Sequence, residues 1–177
     1  MKSQLLALLK KDAFFKKKVM LSSGKESDYY IDVRRVSLTS QGLFLISSLL
    51  WERIRRDNCA VIGGPTLGAD PIVGGICVCA YQSGKNMHAF LIRKTPKKHG
   101  QQKMIEGKEL SPGTKAVILD DVATSGGSLI HSLNVLKEHD IEVSRAYTVI
   151  DRQEGAAEAL ASHGCPLDAL FTPADFL

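Results

Sequence analysis

Residues 116–133 read AVILDDVATSGGSLIHSL, and this stretch decides the fold class. Four apolar residues run into Asp120 and Asp121, and a loop rich in glycine and hydroxyl side chains then opens a helix. A short apolar run of this kind is typical of a strand buried in a parallel sheet. In open α/β sheets, ligands bind beyond the carboxyl ends of the strands, which is where this loop would lie.

The loop after this strand has the chemistry of a phosphate site. Its glycines allow close backbone approach, its hydroxyls donate hydrogen bonds, and its amides would point outward at a helix N-terminus. The two adjacent carboxylates can accept hydrogen bonds from vicinal sugar hydroxyls and, through these or through water, influence a bound Mg²⁺. The chain contains neither a Walker loop nor a dinucleotide fingerprint. A solvated Asp-Asp turn followed by a serine N-cap is the alternative without function.

Outward from this stretch, strand-like and helix-like segments alternate. The predicted strands are residues 59–64, 88–92, 114–119, 143–150 and 166–171. The predicted helices are residues 3–17, 41–56, 69–80, 128–139 and 154–164, and residues 19–33 have the pattern of a hairpin. This alternation favours an α/β fold with a parallel sheet flanked by helices. We expect the 177 residues to form a single domain, with residues 1–40 as a small appendage.

A basic loop, residues 93–113, interrupts the pattern. Its first eleven residues hold five of the 23 lysine and arginine residues and no acidic residue, so the rest of the chain has 18 basic against 19 acidic residues. Such a run is most often a solvated or nucleic-acid-binding face, but aromatic residues that would stack on bases are absent from residues 93–103. Proline and glycine residues break the segment, which favours a mobile loop that closes over a polyphosphate.

Composition and targeting signals narrow the class of protein further. Hydrophobic residues make up 44% of the chain and charged residues 24%, which excludes wholesale disorder and fibrous repeats. No apolar run approaches the roughly 20 residues that span a bilayer, and the N-terminus lacks a signal-peptide cleavage pattern. The four cysteines form no C-x-x-C pair, so the simplest location is the cytoplasm.

The strand, the acidic pair and the following Thr-x-Gly-x-Ser resemble the phosphoribosyl diphosphate (PRPP) signature of the type I phosphoribosyltransferases. The resemblance implies the fold of that family, a parallel-sheet core with a small N-terminal hood. It also implies that Asp120 and Asp121 meet the ribose hydroxyls. The residues that would enclose the 5-phosphate are Thr124, Ser125, Gly126, Gly127 and Ser128, and Val122 and Ala123 are also implied to bind PRPP.

Three further segments are similar to the orotate phosphoribosyltransferases: SGKESDYY at 23–30, RKTPKKHG at 93–100 and DRQEG at 151–155. By this resemblance, the catalytic residues are Lys97, His99, Asp120 and Asp121, with Lys97 leading. The implied PRPP and pyrophosphate contacts outside residues 120–128 are Lys25, Arg93, Lys94, Lys97 and His99. The implied orotate contacts are Thr124, Arg152, Tyr29 and Tyr30. Without the resemblance, Tyr29 and Tyr30 would also be explained as strand residues of an ordinary hairpin. Arg152 would be explained as one partner of an exposed ion pair.

The resemblance implies that orotate and PRPP give orotidine 5′-monophosphate and pyrophosphate, with Mg²⁺ held on the diphosphate and influenced only indirectly by Asp120 and Asp121. It also implies a homodimer in which residues 93–107 act in the neighbouring site, without nucleic-acid or membrane partners. A purine phosphoribosyltransferase, or a PRPP-sensing regulator that binds nucleic acid, are the alternatives. One departure concerns residues 64–70, where some family members place Tyr-Lys and this chain has no cation. The amides of residues 66–68 could still donate to phosphate there.

Overall fold

A six-stranded sheet forms the centre of the computed structural model, which describes residues 1–20, 26–95 and 103–176. The strands are β1 (Phe14–Met20), β2 (Glu26–Ile31), β3 (Val61–Pro65), β4 (His88–Ile92), β5 (Ile105–Gly107), β6 (Lys115–Ala123), β7 (Glu142–Asp151) and β8 (Leu167–Phe171). The helices are α1 (Lys2–Asp12), α2 (Arg34–Ser37), α3 (Ser40–Ile54), α4 (Ala69–Gln82), α5 (Gly127–Lys137) and α6 (Ala156–Ser162), and a 3₁₀ turn covers Pro173–Asp175.

The sheet has the strand order β5-β4-β3-β6-β7-β8, and every pairing is parallel except that of β5 with β4. Side chains of β6 alternate between two hydrophobic layers. Val117 and Leu119 pack with α1, α3 and α4, whereas Ala116 and Ile118 pack with α5 and α6. Helices therefore cover both faces, which explains why the β6 sequence is a continuous apolar run. The predicted parallel α/β fold is confirmed.

The predicted helix 3–17 is wrong beyond residue 12. The chain enters β1 at Phe14 and pairs antiparallel with β2, so that Phe14 lies opposite Ile31 and Phe15 opposite Tyr30. The Phe14 ring also stacks on Tyr29, with 5.4 Å between centroids. Residues 13–17 fit a helical stripe, but strand pairing and ring packing from distant residues decide their conformation.

Two other segments differ from the sequence prediction. The strand predicted at 114–119 continues to Ala123, so Asp120 and Asp121 lie within β6 instead of in the loop after it. The basic loop contains β5, whose three residues are too few to give a period. In the part of the chain that the structure describes, no helix is both long and apolar enough to cross a membrane.

Candidate active site

A cleft of about 900 Å³ opens at the carboxyl ends of β3, β6 and β7. The chain moves from β3 outward to β4 and then returns to β6 on the other side of β3, so the cleft lies where the direction of winding reverses, the usual ligand position in such sheets. The polar and charged residues that line it are Tyr30, Asp32, Arg34, Thr66, Asp70, Arg93, Lys94, Thr95, Glu106, Asp120, Asp121, Thr124, Ser128 and Arg152.

The acidic pair forms the floor of this cleft. Asp120 is 8% exposed, and its Oδ1 accepts a hydrogen bond from the Asp121 amide at 2.9 Å. The Oδ1 of Asp121 in turn accepts from the Val122 amide at 2.8 Å. Burial, reinforced by the charge of Asp121, raises the pKa of Asp120 well above its ordinary value. Burial also raises the pKa of Asp121, although hydrogen bonds and the nearby Arg34 oppose that shift.

A second cavity of about 310 Å³ is lined by residues 122–129 and by Asp120. Gly126 has the left-handed backbone (φ 82°) that turns the chain into α5, an eleven-residue helix. The N-terminal amides of such a helix attract an anion. Thr124 and Ser128 line both this cavity and the large cleft, so the structure brings the predicted phosphate cradle and the acidic pair together.

Arg152 follows β7 and is 5% exposed. Its Nε donates to Glu154 Oε1 at 2.8 Å, and its guanidinium lies 4.7 Å from the centre of the Tyr29 ring. Of the two predicted base-pocket tyrosines, Tyr30 lines the cleft, whereas Tyr29 supports Arg152 and is itself stacked on Phe14. Sequence reasoning missed Glu154, although it lies within the DRQEG motif.

The first part of the basic loop, residues 93–104, connects the neighbouring strands β4 and β5. The Arg93 amide donates to the Met104 carbonyl at 2.9 Å, and the Arg93 side chain pairs with Glu106 at 3.1 Å. Both Arg93 and the exposed Lys94 line the cleft. The predicted contacts Lys25, Lys97 and His99 lie outside the described residues. Sequence reasoning missed Glu106, because nothing in its local pattern pairs it with an arginine thirteen residues earlier.

The loop between β3 and α4 lies against the acidic pair. A methyl group on Gly68 would clash with the Asp121 carboxylate and would come within 2.8 Å of Asp120 Oδ1, so any other residue there would force the loop or the acidic pair to move. The Thr66 amide donates to the Ile92 carbonyl at 3.0 Å, which leaves the amides of Leu67 and Gly68 as the candidate phosphate donors. At the start of α4, Asp70 has a buried Oδ1 without a hydrogen-bond partner among the described residues.

Comparisons with known proteins agree with this geometry. A family model described as "Phosphoribosyl transferase domain" matches residues 86–163. Orotate phosphoribosyltransferase of Bradyrhizobium sp. ORS 278 is 36% identical, covering 99% of this chain and 97% of the relative. That of Corynebacterium glutamicum strain R is 40% identical, covering 98% and 92%. The crystal structure of Mycobacterium tuberculosis orotate phosphoribosyltransferase in complex with PRPP is 32% identical, with a TM-score of 0.82, covering 99% of this chain and 98% of that one.

Proposed function

The chain belongs to the orotate phosphoribosyltransferases, which transfer the phosphoribosyl group of PRPP to orotate in pyrimidine biosynthesis, and we propose the roles that its own residues take in this reaction. The observation that carries the proposal is that the acidic pair, the phosphate cradle and a buried arginine open on one cleft. We also propose that the 177 residues act as one domain, with residues 1–40 as its hood and residues 93–113 as its mobile catalytic loop.

PRPP binds along β6 in this proposal. The 5-phosphate occupies the cavity of residues 122–129 and takes the amides at the start of α5. Asp120 and Asp121, which lie between that cavity and the β3–α4 loop, accept hydrogen bonds from the ribose hydroxyls. The anomeric carbon then faces the cleft, with the diphosphate toward the β3–α4 loop.

Mg²⁺ fits this site as a partner of the substrate. Among the described residues, no group of three or more His, Cys, Asp or Glu side chains could hold a metal ion alone. Mg²⁺ commonly binds through one or two carboxylates together with substrate phosphates and water. Asp120 is buried and Asp121 half-buried, and both carboxyls have raised pKa values, which suits an indirect role through ribose hydroxyls or water. When bound, the ion supplies neutralising charge to the diphosphate.

Arg152 orients orotate. A guanidinium can grip the orotate carboxylate through two hydrogen bonds, and the free purine bases carry no such group. Glu154 and the Tyr29 ring hold Arg152 in place, so little conformational entropy is lost when the base binds. Thr124 and Tyr30 line the same cleft and complete the proposed base contacts. The ring nitrogen then attacks the anomeric carbon through an oxocarbenium-like state.

The departing pyrophosphate needs cations that act in the transition state. Lys97 and His99 are proposed to supply them, assisted by Lys25, Arg93 and Lys94. The support is that Arg93 and Lys94 line the cleft and that the basic loop starts from its edge. Lys97, His99 and Lys25 enter the proposal from the sequence motifs.

We further propose a cytoplasmic homodimer in which residues 93–107 act in the partner's site. Exposed apolar side chains on α4 support association, since Val78 is 57% and Tyr81 is 78% exposed on one face of that helix. The four cysteines are free thiols, which suits a reducing compartment.

The direct test mixes the protein with PRPP, Mg²⁺ and orotate and follows the loss of orotate absorbance. We expect turnover with orotate and none when adenine or hypoxanthine replaces it. Turnover with a purine and none with orotate would assign a purine phosphoribosyltransferase. PRPP binding without any turnover would favour the regulator.

A further inference from the structure

The β3–α4 loop faces the proposed diphosphate position without a cationic side chain, since residues 64–70 read GPTLGAD. Four arginine or lysine residues of the described chain line the cleft: Arg34, Arg93, Lys94 and Arg152. Arg152 pairs with Glu154, and Arg93 pairs with Glu106. Lys94 extends from the first residues of the basic loop. Arg34 is the member of this set to which the sequence motifs assigned no role.

Arg34 is held in a fixed position by its neighbour Asp32. The Asp32 Oδ1 accepts hydrogen bonds from both the Nε and the backbone amide of Arg34, at 3.1 and 3.3 Å. This ion pair uses the inner edge of the guanidinium. Within residues 1–20, 26–95 and 103–176, nothing accepts a hydrogen bond from its two Nη groups. The Arg34 side chain is 45% exposed and lines the cleft, so its outer edge can reach a ligand.

Arg34 and the β3–α4 loop residues Thr66, Leu67 and Gly68 line the same cleft. Asp121 interacts with both. Its Oδ1 packs directly against Gly68, and its carboxylate is attracted by the positive charge of Arg34. The hydrogen bond and the charge of Asp32 raise the pKa of the Arg34 guanidinium, and the charge of Asp121 adds a smaller contribution. Because both line one cleft, the amides of Leu67 and Gly68 and the Nη edge of Arg34 are open to the same bound ligand.

We propose that Arg34, positioned by Asp32, binds the diphosphate of PRPP and the pyrophosphate product, and so supplies the cation that the β3–α4 loop lacks. This inference rests on the proposed function and adds a substrate-binding residue, Arg34, and a positioning residue, Asp32. An arginine suits this role because two Nη groups can bind one phosphate side by side.

The reverse reaction separates the two ends of the site, because orotidine 5′-monophosphate and pyrophosphate are then separate substrates. For Arg34→Gln we expect KM for pyrophosphate to rise about 10- to 100-fold, the loss typical of a charge-assisted hydrogen bond. We expect KM for orotidine 5′-monophosphate to stay within about twofold. In the forward direction, KM should rise for PRPP and not for orotate.

Arg35→Gln is the matched control. Arg35 is the adjacent exposed arginine, its guanidinium lies 4.9 Å from the centre of the Phe15 ring, and it does not line the cleft. It should leave both KM values unchanged. Arg34→Lys should recover part of the pyrophosphate affinity. Asp32→Asn should raise KM for pyrophosphate less than Arg34→Gln does, and adding it to Arg34→Gln should have no further effect.

A pyrophosphate KM that Arg34→Gln leaves within twofold of the wild type would overturn the inference. An equal rise in both KM values would also overturn it, because a merely structural role moves both. The wild-type protein must first catalyse the reverse reaction. If it does not, the proposed function fails, and this outcome is distinct from an altered KM in a working enzyme.

Discussion

Arg152 owes its proposed role to the two side chains that hold it, those of Glu154 and Tyr29. It is a buried guanidinium with Glu154 on one edge and the Tyr29 ring beneath it. Arg152→Lys keeps the charge but loses the two-pronged geometry, so we expect KM for orotate to rise about 10- to 100-fold, whereas KM for PRPP changes less than twofold. Steady-state kinetics with each substrate varied in turn would measure the split.

Arg145→Lys provides the control for that experiment. Arg145 lies on the same strand, β7, but pairs with Asp57 at 3.7 Å and does not line the cleft. The Arg145→Lys variant should have the same KM for orotate as the wild type. An Arg152→Lys variant with normal orotate affinity would remove this residue from the base site.

Asp120 is predicted to destabilise the ligand-free protein. Its pKa is raised by burial and by Asp121, so the folded state holds a proton that the unfolded state releases above the ordinary carboxyl pKa near 3.8. Between that pH and the raised pKa of the folded protein, the free energy of unfolding therefore falls as pH increases. Asp120→Asn removes this contribution and should raise the free energy of unfolding at pH 7 by about 0.5–2 kcal/mol, while turnover is lost.

Denaturant titrations at pH 4 and pH 7 would measure this effect. The increase in the free energy of unfolding caused by Asp120→Asn should be larger at pH 7 than at pH 4, because keeping the wild-type carboxyl protonated costs more free energy at the higher pH. Asp140→Asn, at an exposed position after α5, should change neither stability nor turnover. Equal stability of Asp120→Asn and the wild type at both pH values would contradict the prediction.

At the scale of elements, the β3–α4 loop depends on the absence of a side chain at Gly68. Gly68→Ala would push a methyl group into the Asp121 carboxylate, so either the loop or the acidic pair must move. We expect kcat/KM for PRPP to fall at least 10-fold, because a displaced binding group loses its alignment with the substrate. Kinetics with PRPP as the varied substrate would test this.

Gly74→Ala is the matched variant within α4. A methyl group there would have no atom of the described chain within 4 Å, so the cleft should keep its geometry. Because Gly74 lies on the same face of α4 as Val78 and Tyr81, we expect unchanged activity in a variant that elutes as the same oligomer as the wild type in size-exclusion chromatography. Because alanine is a better helix former than glycine, the variant should gain about 0.5–1 kcal/mol of stability. Comparable loss of activity in both variants would show that the close contact at Gly68 is unimportant.

The proposed catalytic role of the basic loop can be tested directly by substituting Lys97. Lys97→Ala should lower kcat about 10²- to 10³-fold, as expected for the loss of a group that stabilises developing charge. Lys103→Ala, in the same loop but without an assigned contact, should keep near-normal turnover. Normal kcat in Lys97→Ala would refute the catalytic role of that lysine.

The sequence predicted elements well where residues adjacent in the chain carry the signal. The apolar run of β6 and the motifs at 120–128 and 151–155 are local, so both the fold class and the proposed core of the site could be read from them. The end of the first helix could not be predicted, because Phe14 is drawn into a strand by Tyr29 and β2. Glu106 was missed because its partner Arg93 lies thirteen residues earlier, whereas Asp32 was missed because no motif marks it, although its partner Arg34 is only two residues away.

At the scale of the whole molecule, the proposed exchange of loops between subunits can be tested with hybrids. Lys97→Ala and Asp121→Asn subunits should each be nearly inactive alone. If the loop acts in the partner's site, a mixed dimer has one site with both residues intact, and random assortment should restore about a quarter of wild-type activity. If each loop serves its own subunit, mixing restores nothing. Activity measured before and after subunit exchange distinguishes the two.

The hydrogen bond between the Arg93 amide and the Met104 carbonyl joins the two ends of the segment 93–104, which is therefore anchored at one point beside β4 and β5. Lys97 is four residues from Arg93, and an extended chain gains at most about 3.6 Å per residue, so its Cα can lie no more than about 14 Å from that of Arg93. In each subunit, this distance from Arg93 limits the region that Lys97 can reach. Lys97 can act in the neighbouring site only if the acidic pair of that site lies within about 14 Å, plus the length of one lysine side chain, of the Arg93 Cα. A dimer with a greater separation would exclude catalysis across the interface.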